Sequence, residues 1–157
     1  MGVNAQLVKY FEEGNLRGML GYAKLVFKVL LNKRLMHLII KTDKQEIKTD
    51  AFMVVLANAS KYGTGALINP EGNLHDGLFE IVIVRRITFG AILKIFLQFK
   101  RFNPKKVELL QAKSVTIQAT KKMHFQVDGE YLGKVDSIKA TILHAQLNLL
   151  WCKFLLI

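Results

Sequence analysis

The hydrophobic positions along the chain predict two helices at the start and strands over most of the remainder. Residues 5–13 predict a short helix that stops at Gly14-Asn15, because both residue types tolerate the left-handed C-cap conformation. Residues 17–32 predict a second helix with a polar stripe at a spacing of four on a mostly apolar cylinder. This pattern favours a core helix packed on two sides over a membrane anchor.

From residue 36 onward the pattern becomes that of strands, with Asp43-Lys44 as a hairpin turn. Residues 58–65 predict a loop and 69–73 a turn, whereas 88–102 return to helical spacing. Successive antiparallel strands with a few packed helices predict an α+β fold dominated by an antiparallel β-sandwich. The predicted strands are 36–42, 45–49, 52–57, 78–85, 107–110, 114–120, 124–127, 131–135 and 137–150. The apolar segment 151–157 is expected to dock on a sheet or to cover a surface that another domain would cover.

Length and composition indicate one compact domain, since 157 residues suffice for a core, and 51% hydrophobic content with only two prolines argues against a disordered chain. The chain carries 23 Lys and Arg against 12 Asp and Glu, a formal net charge of +11. This excess favours a polyanionic partner, either nucleic acid or an anionic membrane surface, and the charge alone does not choose between them.

Cysteine content and the distribution of apolar residues bear on the compartment. Cys152 is the single cysteine, so no internal disulfide forms, which fits a reducing compartment. The first residues show no signal-peptide pattern, and no apolar stretch reaches the roughly 20 residues that span a bilayer. A cytoplasmic protein, soluble or peripherally membrane-associated, is expected.

The segment Asp128-Gly129-Glu130 places two carboxylates at a predicted tight turn. Asp-Gly favours a hairpin turn because glycine accepts positive φ without steric cost. Crowded carboxylates can bind a cation or share a proton, so one of them can act as a base. A solvated hairpin tip is the ordinary alternative, and the residues alone favour it.

A second Asp-Gly turn, Asp76-Gly77, follows Asn73 and precedes Leu78. Such a loop can direct a carboxylate and neighbouring carbonyls at one hard cation. The ordinary alternative is a turn that simply leads into the next strand.

Other catalytic and binding motifs are missing from the sequence. The four histidines lack zinc-site spacing, no Gly-x-Ser-x-Gly occurs, and neither of the common phosphate-binding glycine loops is present. Basic residues recur as pairs near predicted element ends, which suits either a solvated surface or a face that meets anionic lipid headgroups. No motif of the usual nucleic-acid-binding folds appears, so nucleic acid is not the expected partner.

Four segments, in this order and spacing, resemble the C-terminal domain of the bacterial diacylglycerol/lipid kinase family, which is related to sphingosine kinases and more remotely to NAD kinases. The late Asp-Gly-Glu of that family is matched by residues 127–130, and its Asp-Gly segment followed by a strand is matched by residues 70–84. Its Asn-to-glycine loop is matched by residues 58–65, and the start of the domain by residues 2–22.

The resemblance implies an ATP-dependent kinase that phosphorylates the primary hydroxyl of diacylglycerol or a similar lipid. It assigns the catalytic base to the late Asp-Gly-Glu, with Glu130 preferred and Asp128 beside it. It also implies a structural Mg²⁺ held by the Asp76 carboxylate, with backbone carbonyls of Asn73 and Leu78 as partners.

The family's nucleotide-binding N-terminal domain, with its Gly-Gly-Asp-Gly-Thr motif, is absent from residues 1–157. The chain is therefore expected to be the substrate-side, C-terminal domain of a lipid kinase, inactive alone, whose partners are a lipid substrate, the missing domain and an anionic membrane surface. The alternative is a non-enzymatic β-sandwich module that binds anionic lipid or nucleic acid.

Overall fold

The structure, a computed structural model, describes residues 1–14, 18–58, 61–62, 66–67, 73, 75–86, 107–144 and 146. Within these residues it contains two helices and nine strands. In chain order these are α1 (Val3–Glu13), α2 (Gly18–Leu31), β1 (Met36–Thr42), β2 (Glu46–Ala51), β3 (Met53–Ala57), β4 (Lys61–Tyr62), β5 (Ala66–Leu67), β6 (Phe79–Val84), β7 (Val107–Ala112), β8 (Ser114–Val127) and β9 (Glu130–Thr141). The predicted helix over 88–102, most of the predicted turn at 69–73 and the segment 151–157 lie outside the described residues.

Both predicted helices form, with one correction at a helix end. Helix α1 stops at Glu13 as predicted, but Gly14 has φ −103° and ψ 134°, an extended conformation rather than a left-handed C-cap. Helix α1 begins after Gly2, whose φ of 84° lets the chain turn where a Cβ would lie 2.4 Å from the Phe52 carbonyl oxygen. None of the helices in the described part of the chain is long and apolar enough to cross a membrane.

The strands form two larger antiparallel sheets. One has four strands in the order β2-β1-β8-β9, and the other has three in the order β3-β6-β7. Strand β1 has the predicted bounds and buries Met36, Leu38 and Ile40 on one face. Strand β6 is buried at all six positions, including the charged residue Glu80 in an otherwise apolar sequence.

The two sheets pack face to face, which confirms the β-dominated sandwich. One buried cluster joins Ile40 and Ile117 of the four-stranded sheet to Ile81 and Ile83 of the three-stranded sheet. A second cluster joins Val82, on the other face of β6, to Val29 of α2. The three-stranded sheet is therefore the middle layer, with the helices on its outer face.

The last third of the chain differs from the prediction. The predicted strands 114–120 and 124–127 are one strand, β8, which runs through Lys121 and Lys122. Its pairing with β9 changes register between Gln118 and Met123, so a bulge stands where a turn was predicted. Strand β9 is likewise continuous and ends at Thr141, whereas the predicted strand continued to 150. The predicted loop 58–65 contains the short strand β4.

Candidate active site

The Asp128-Gly129 turn joins β8 to β9 as a two-residue hairpin loop, between the paired residues Val127 and Glu130. Asp128 has φ 48° and Gly129 has φ 95°. Positive φ at both central residues is the geometry whose twist matches the flanking strands, and Asp-Gly is a preferred sequence for it. The turn prediction is confirmed, and Asp128 and Glu130 both lie exposed at the hairpin tip.

The turn is held from beneath by a buried side chain. Gln126 is only 8% exposed, and its Oε1 accepts a hydrogen bond of 2.7 Å from the backbone amide of Gly129. This bond satisfies a donor inside the turn and fixes the loop to strand β8. The two carboxylates therefore project from a backbone that is braced on its inner side.

Helix α1 holds the same turn from the side. The backbone amide of Tyr131 donates a 3.0 Å hydrogen bond to the Glu12 carboxylate. The Tyr131 hydroxyl and His124 Nδ1 share a hydrogen bond of 2.8 Å, and the ammonium of Lys9 lies 5.9 Å from the centre of the Tyr131 ring. The residue that follows Glu130 is thus fixed through its main chain, its hydroxyl and its ring.

The imidazole of His124 is partly buried and lies among positive charges. Partial burial lowers the pKa of its imidazole, and the charges of Lys134, Lys9 and Arg34 lower that pKa further, while Glu13 opposes them. Desolvation and nearby cations both disfavour the imidazolium. The neutral imidazole is therefore the form favoured beside Tyr131.

The Asp76 loop is built from two local side-chain-to-backbone bonds. Asn73 Oδ1 accepts from the amide of His75 at 3.0 Å, and Asp76 Oδ1 accepts from the amide of Leu78 at 2.9 Å. Gly77 follows with φ 67°, and the chain then enters β6. Such bonds are the turn chemistry expected of Asn and Asp.

The structure places the two Asp-Gly turns at opposite ends of the β8–β9 hairpin. Asp128 lies at its tip, whereas Gly77 lies against His144, three residues beyond the end of β9. The 14 residues of β8 run between these ends, a path of roughly 45 Å along an extended strand. The Asp76 loop is thus a separate structural element from the turn with the candidate catalytic residues.

Metal-binding side chains do not cluster in the described part of the chain, where no group of three or more His, Cys, Asp or Glu residues converges. The ligand set predicted for Mg²⁺ has one carboxylate, Asp76, and otherwise backbone carbonyls. Asp76 is exposed, and of its two oxygens Oδ1 binds the Leu78 amide. Oδ2 is an oxygen donor of the type that hard cations prefer.

Sequence reasoning missed a basic cavity beside the candidate turn. It has a volume of about 450 Å³ and lies between α1, α2 and the β8–β9 hairpin. Its cationic lining comes from five separate parts of the sequence: Lys9, Lys28, Arg34, Lys122 and Lys134. The basic pairs Lys33-Arg34 and Lys121-Lys122 were the visible sign, but only the fold brings them together.

The chain is similar to a known domain family and to several curated proteins. Residues 1–151 match the family model described as the YegS C-terminal NAD kinase beta sandwich-like domain. A diacylglycerol kinase from Staphylococcus haemolyticus is 28% identical over 112 residues, covering 69% of this chain and 34% of that protein. A diacylglycerol kinase from Bacillus subtilis is 26% identical over 85 residues, covering 52% and 27%. The chain thus spans about a third of the length of the curated relatives it matches.

A solved structure gives the same result for the fold. The crystal structure of a diacylglycerol kinase from Bacillus anthracis str. Sterne superposes with a TM-score of 0.56 at 18% identity, covering 74% of this chain and 43% of that one. At this identity the likeness concerns the fold alone.

Proposed function

Since the chain belongs to the family of YegS C-terminal NAD kinase beta sandwich-like domains, we propose that it is the substrate-side domain of a lipid kinase. The curated relatives carrying the name diacylglycerol kinase support this assignment. The observation that carries it is the Asp-Gly-Glu turn, which presents two carboxylates from a braced backbone within the matched residues.

The reaction proposed for the full-length protein is transfer of the γ-phosphoryl group of ATP to the primary hydroxyl of diacylglycerol or a similar lipid. Glu130 takes the hydroxyl proton, the hydroxyl oxygen bonds to phosphorus, and ADP leaves with the electrons of the broken P–O bond. Asp128, two residues earlier in the same turn, positions the lipid hydroxyl. Phosphoryl transfer depends on such positioning and charge stabilisation more than on covalent chemistry of the protein.

The bracing of the turn supports this role because a general base must lie within hydrogen-bond reach of the proton it removes. Gln126 holds the Gly129 amide from beneath, and Glu12 holds the Tyr131 amide from the side. The backbone on both sides of Glu130 is thereby fixed. Small displacements of such a group are costly for catalysis.

Mg²⁺ is proposed as a structural ion at the Asp76 loop, held by the Asp76 carboxylate and the backbone carbonyls of Asn73 and Leu78. When bound, it supplies a fixed positive charge that ties the loop together ahead of β6. An increase of the melting temperature with Mg²⁺, lost in Asp76→Asn and kept in Asp50→Asn, is the expected result. Equal increases in both variants would remove Asp76 from the proposed site.

The phosphates of ATP are proposed to bind mostly outside residues 1–157, on a nucleotide-binding domain. The sequence contains no phosphate-cradling glycine loop of the common types. The 157-residue chain is accordingly expected to be inactive by itself. ATP-dependent phosphorylation of a lipid by this chain alone would contradict that expectation.

The basic surface is proposed to dock the protein peripherally on the cytoplasmic face of anionic membranes. Each Lys or Arg near such a surface contributes about 1 kcal/mol, and the attraction is screened by salt. Binding to anionic vesicles that weakens as salt rises supports this docking. Equal binding to neutral and anionic vesicles would contradict it.

The decisive experiment measures lipid phosphorylation by the full-length protein carrying Glu130→Gln. Turnover should fall by about two or more orders of magnitude, the scale of general base catalysis, with little change in stability. Glu46→Gln is the matched control, because Glu46 is also exposed on a strand but lies on β2. An unchanged rate in Glu130→Gln would remove Glu130 from the mechanism.

The same variants separate the kinase from the alternative, a non-enzymatic module that binds anionic lipid or nucleic acid. In such a module Asp76 and Asp128 would serve only their turns. Conservative changes to asparagine at both positions would then leave its binding intact. In a kinase, Asp128→Asn should lower turnover, whereas Asp136→Asn on β9 should not.

A further inference from the structure

The basic cavity between α1, α2 and the β8–β9 hairpin carries an inference that does not depend on kinase activity. We propose that this cavity is a binding site for a phosphate monoester group. Its five cations come from α1, α2, the α2–β1 connection, β8 and β9, so the folded arrangement, rather than a local run of lysines, creates the site.

The charge of the cavity is poorly neutralised. No carboxylate lines it among the described residues. Lys9 forms a 3.5 Å i,i+4 ion pair with Glu13, in which Lys9 is partly buried and Glu13 is exposed. In the described part of the chain, no ion pair joins any of the other four cations to a carboxylate. Four cations around one concave space therefore attract an anion of high charge density.

Several of these cations act on His124, which lines the same cavity. Partial burial lowers the pKa of the His124 imidazole, and the charges of Lys134, Lys9 and Arg34 lower that pKa further. Three of the five cations thus contribute to the positive potential at one side chain of the cavity. A bound dianion would reduce that potential at every one of these groups.

The walls of the cavity are organised by contacts other than ion pairs. The ammonium of Lys28 lies 4.5 Å from the centre of the Tyr10 ring, and the Asn32 side chain donates to the Lys28 carbonyl at 2.8 Å. The first contact places the exposed Lys28 ammonium over an aromatic ring at the wall of the cavity. A volume of about 450 Å³ also lies within the usual range of ligand sites.

Phosphate monoester is the ligand class that this chemistry fits best. It carries close to two negative charges near neutral pH and several acceptor oxygens, which suits ammonium and guanidinium donors arriving from different directions. The backbone amides of Gly2 and Val3, at the start of α1, already donate to His124 and Phe52. The donors of the proposed site are its side-chain cations.

Titration of the 157-residue chain with inorganic phosphate tests the proposal directly. Lys122→Gln combined with Lys134→Gln should weaken binding at least about tenfold. Lys48→Gln combined with Lys139→Gln is the matched control, because it removes the same charge from exposed strand positions that do not line the cavity. Equal weakening in both double variants would show diffuse electrostatics and overturn the proposal, as would an absence of binding in the unmodified chain at millimolar phosphate.

A spectroscopic measurement keeps the test independent of folding defects. Phosphate bound among Lys9, Arg34 and Lys134 should raise the pKa of His124 toward its ordinary value, followed by NMR of the imidazole. Glu13 on α1 acts on this histidine in the opposite direction to the cations, and Lys28 and Lys122 also line the cavity. A His124 pKa that does not respond to saturating phosphate would contradict a ligand in this cavity.

Vesicle binding distinguishes a lipid phosphate headgroup from a soluble phosphate ester as the ligand. A lipid headgroup is indicated if phosphatidylcholine vesicles containing phosphatidate bind more tightly than vesicles of equal charge containing phosphatidylserine, and if Lys122→Gln with Lys134→Gln removes the difference. A soluble phosphate ester is indicated if inorganic phosphate binds and the two vesicle types do not differ. Both results support a phosphate site, whereas vesicle binding without any phosphate binding would contradict it.

Discussion

The carboxylate of Glu12 accepts a hydrogen bond from the backbone amide of Tyr131, which lies 119 positions later in the chain. The bond connects helix α1 to the first residues of β9, directly after the candidate base Glu130. Residues near the start of the chain therefore help to set the geometry of a turn near its end. This connection places Glu12 as a positioning residue for the Asp-Gly-Glu turn.

Replacing Glu12 should loosen the turn more than it destabilises the fold. In Glu12→Ala the Tyr131 amide loses its acceptor, so its hydrogen exchange should accelerate about tenfold or more. The cost in free energy of unfolding should be about 1 kcal/mol, as for an exposed bond to a charged group. Amide exchange followed by NMR and urea denaturation measure the two effects.

Glu13→Ala is the matched control, since Glu13 is the next residue on α1 and contacts Lys9 instead. It should leave exchange at Tyr131 unchanged. In the full-length protein, Glu12→Ala should lower turnover more than Glu13→Ala. Equal exchange rates at Tyr131 in the two variants would contradict the positioning role.

The backbone conformation of Asp128 predicts that the stability of the chain depends on the residue type at this position. Its φ of 48° lies in the left-handed region, which Asn accepts and β-branched residues avoid. Asp128→Asn should therefore leave stability within about 0.5 kcal/mol, whereas Asp128→Val should lower it by about 1–2 kcal/mol. Urea denaturation of the three proteins gives the comparison.

Glu130→Val provides the control for the Asp128 series, because Glu130 begins strand β9 and has no positive φ. Valine suits a strand, so this variant should be about as stable as the original chain. If Asp128→Val were tolerated equally well, the left-handed conformation of Asp128 would not be a constraint on the turn.

The parts of the fold that sequence patterns predicted are those governed by local rules. Strand β1 was predicted with its full extent, 36–42, because its residues suit a strand and Asp43-Lys44 marks the turn that ends it. Strand β8 was divided in two because Lys121 and Lys122 resemble a polar turn. In the structure the pair is exposed on a strand that bulges and continues, since no glycine or proline stops it there.

In the candidate site, too, the features set by neighbouring residues were predictable and those set by tertiary packing were not. The turn at Asp128-Gly129 follows from neighbouring residues, so its conformation was predictable. The bond from Tyr131 to Glu12 and the cavity formed by Lys9 and Lys134 depend on tertiary packing. A pattern along the chain contains no measure of those distances.

Replacing Gly77 with alanine should lower the free energy of unfolding, mostly because of the backbone conformation at this position. Its φ is 67°, and a Cβ at this position would lie 3.1 Å from His144 Nδ1. His144 is exposed and can move aside, so the steric part is small, while the left-handed conformation costs about 1 kcal/mol or more for alanine. Gly77→Ala should therefore destabilise the chain by about 1–2 kcal/mol in thermal or urea denaturation.

A double-mutant cycle with His144→Ala separates the two contributions. Most of the Gly77→Ala cost should persist when His144 is absent, because the backbone strain remains. Disappearance of the cost in that background would assign it to the imidazole contact instead.

The amino group of Met1 predicts a specific pH dependence of stability in the 157-residue chain. The group is buried, donates to the Val54 carbonyl at 2.9 Å, and its pKa is lowered by that burial from 8.0 to about 5. Between these values the unfolded chain binds a proton that the folded chain does not, so the free energy of unfolding rises as pH increases from about 5 to 8. At 1.36 kcal/mol per pKa unit the total is on the order of 4 kcal/mol, measured by urea denaturation across that range.

Acetylation of the Met1 amine is the control, because an amide cannot be protonated in this range but retains an N–H for Val54. The acetylated chain should lose most of the slope, whatever its absolute stability. The residual slope should come from His124, whose lowered pKa acts in the same direction, and should decrease further in His124→Gln. A slope that acetylation leaves unchanged would show that the Met1 amine is not the group that titrates.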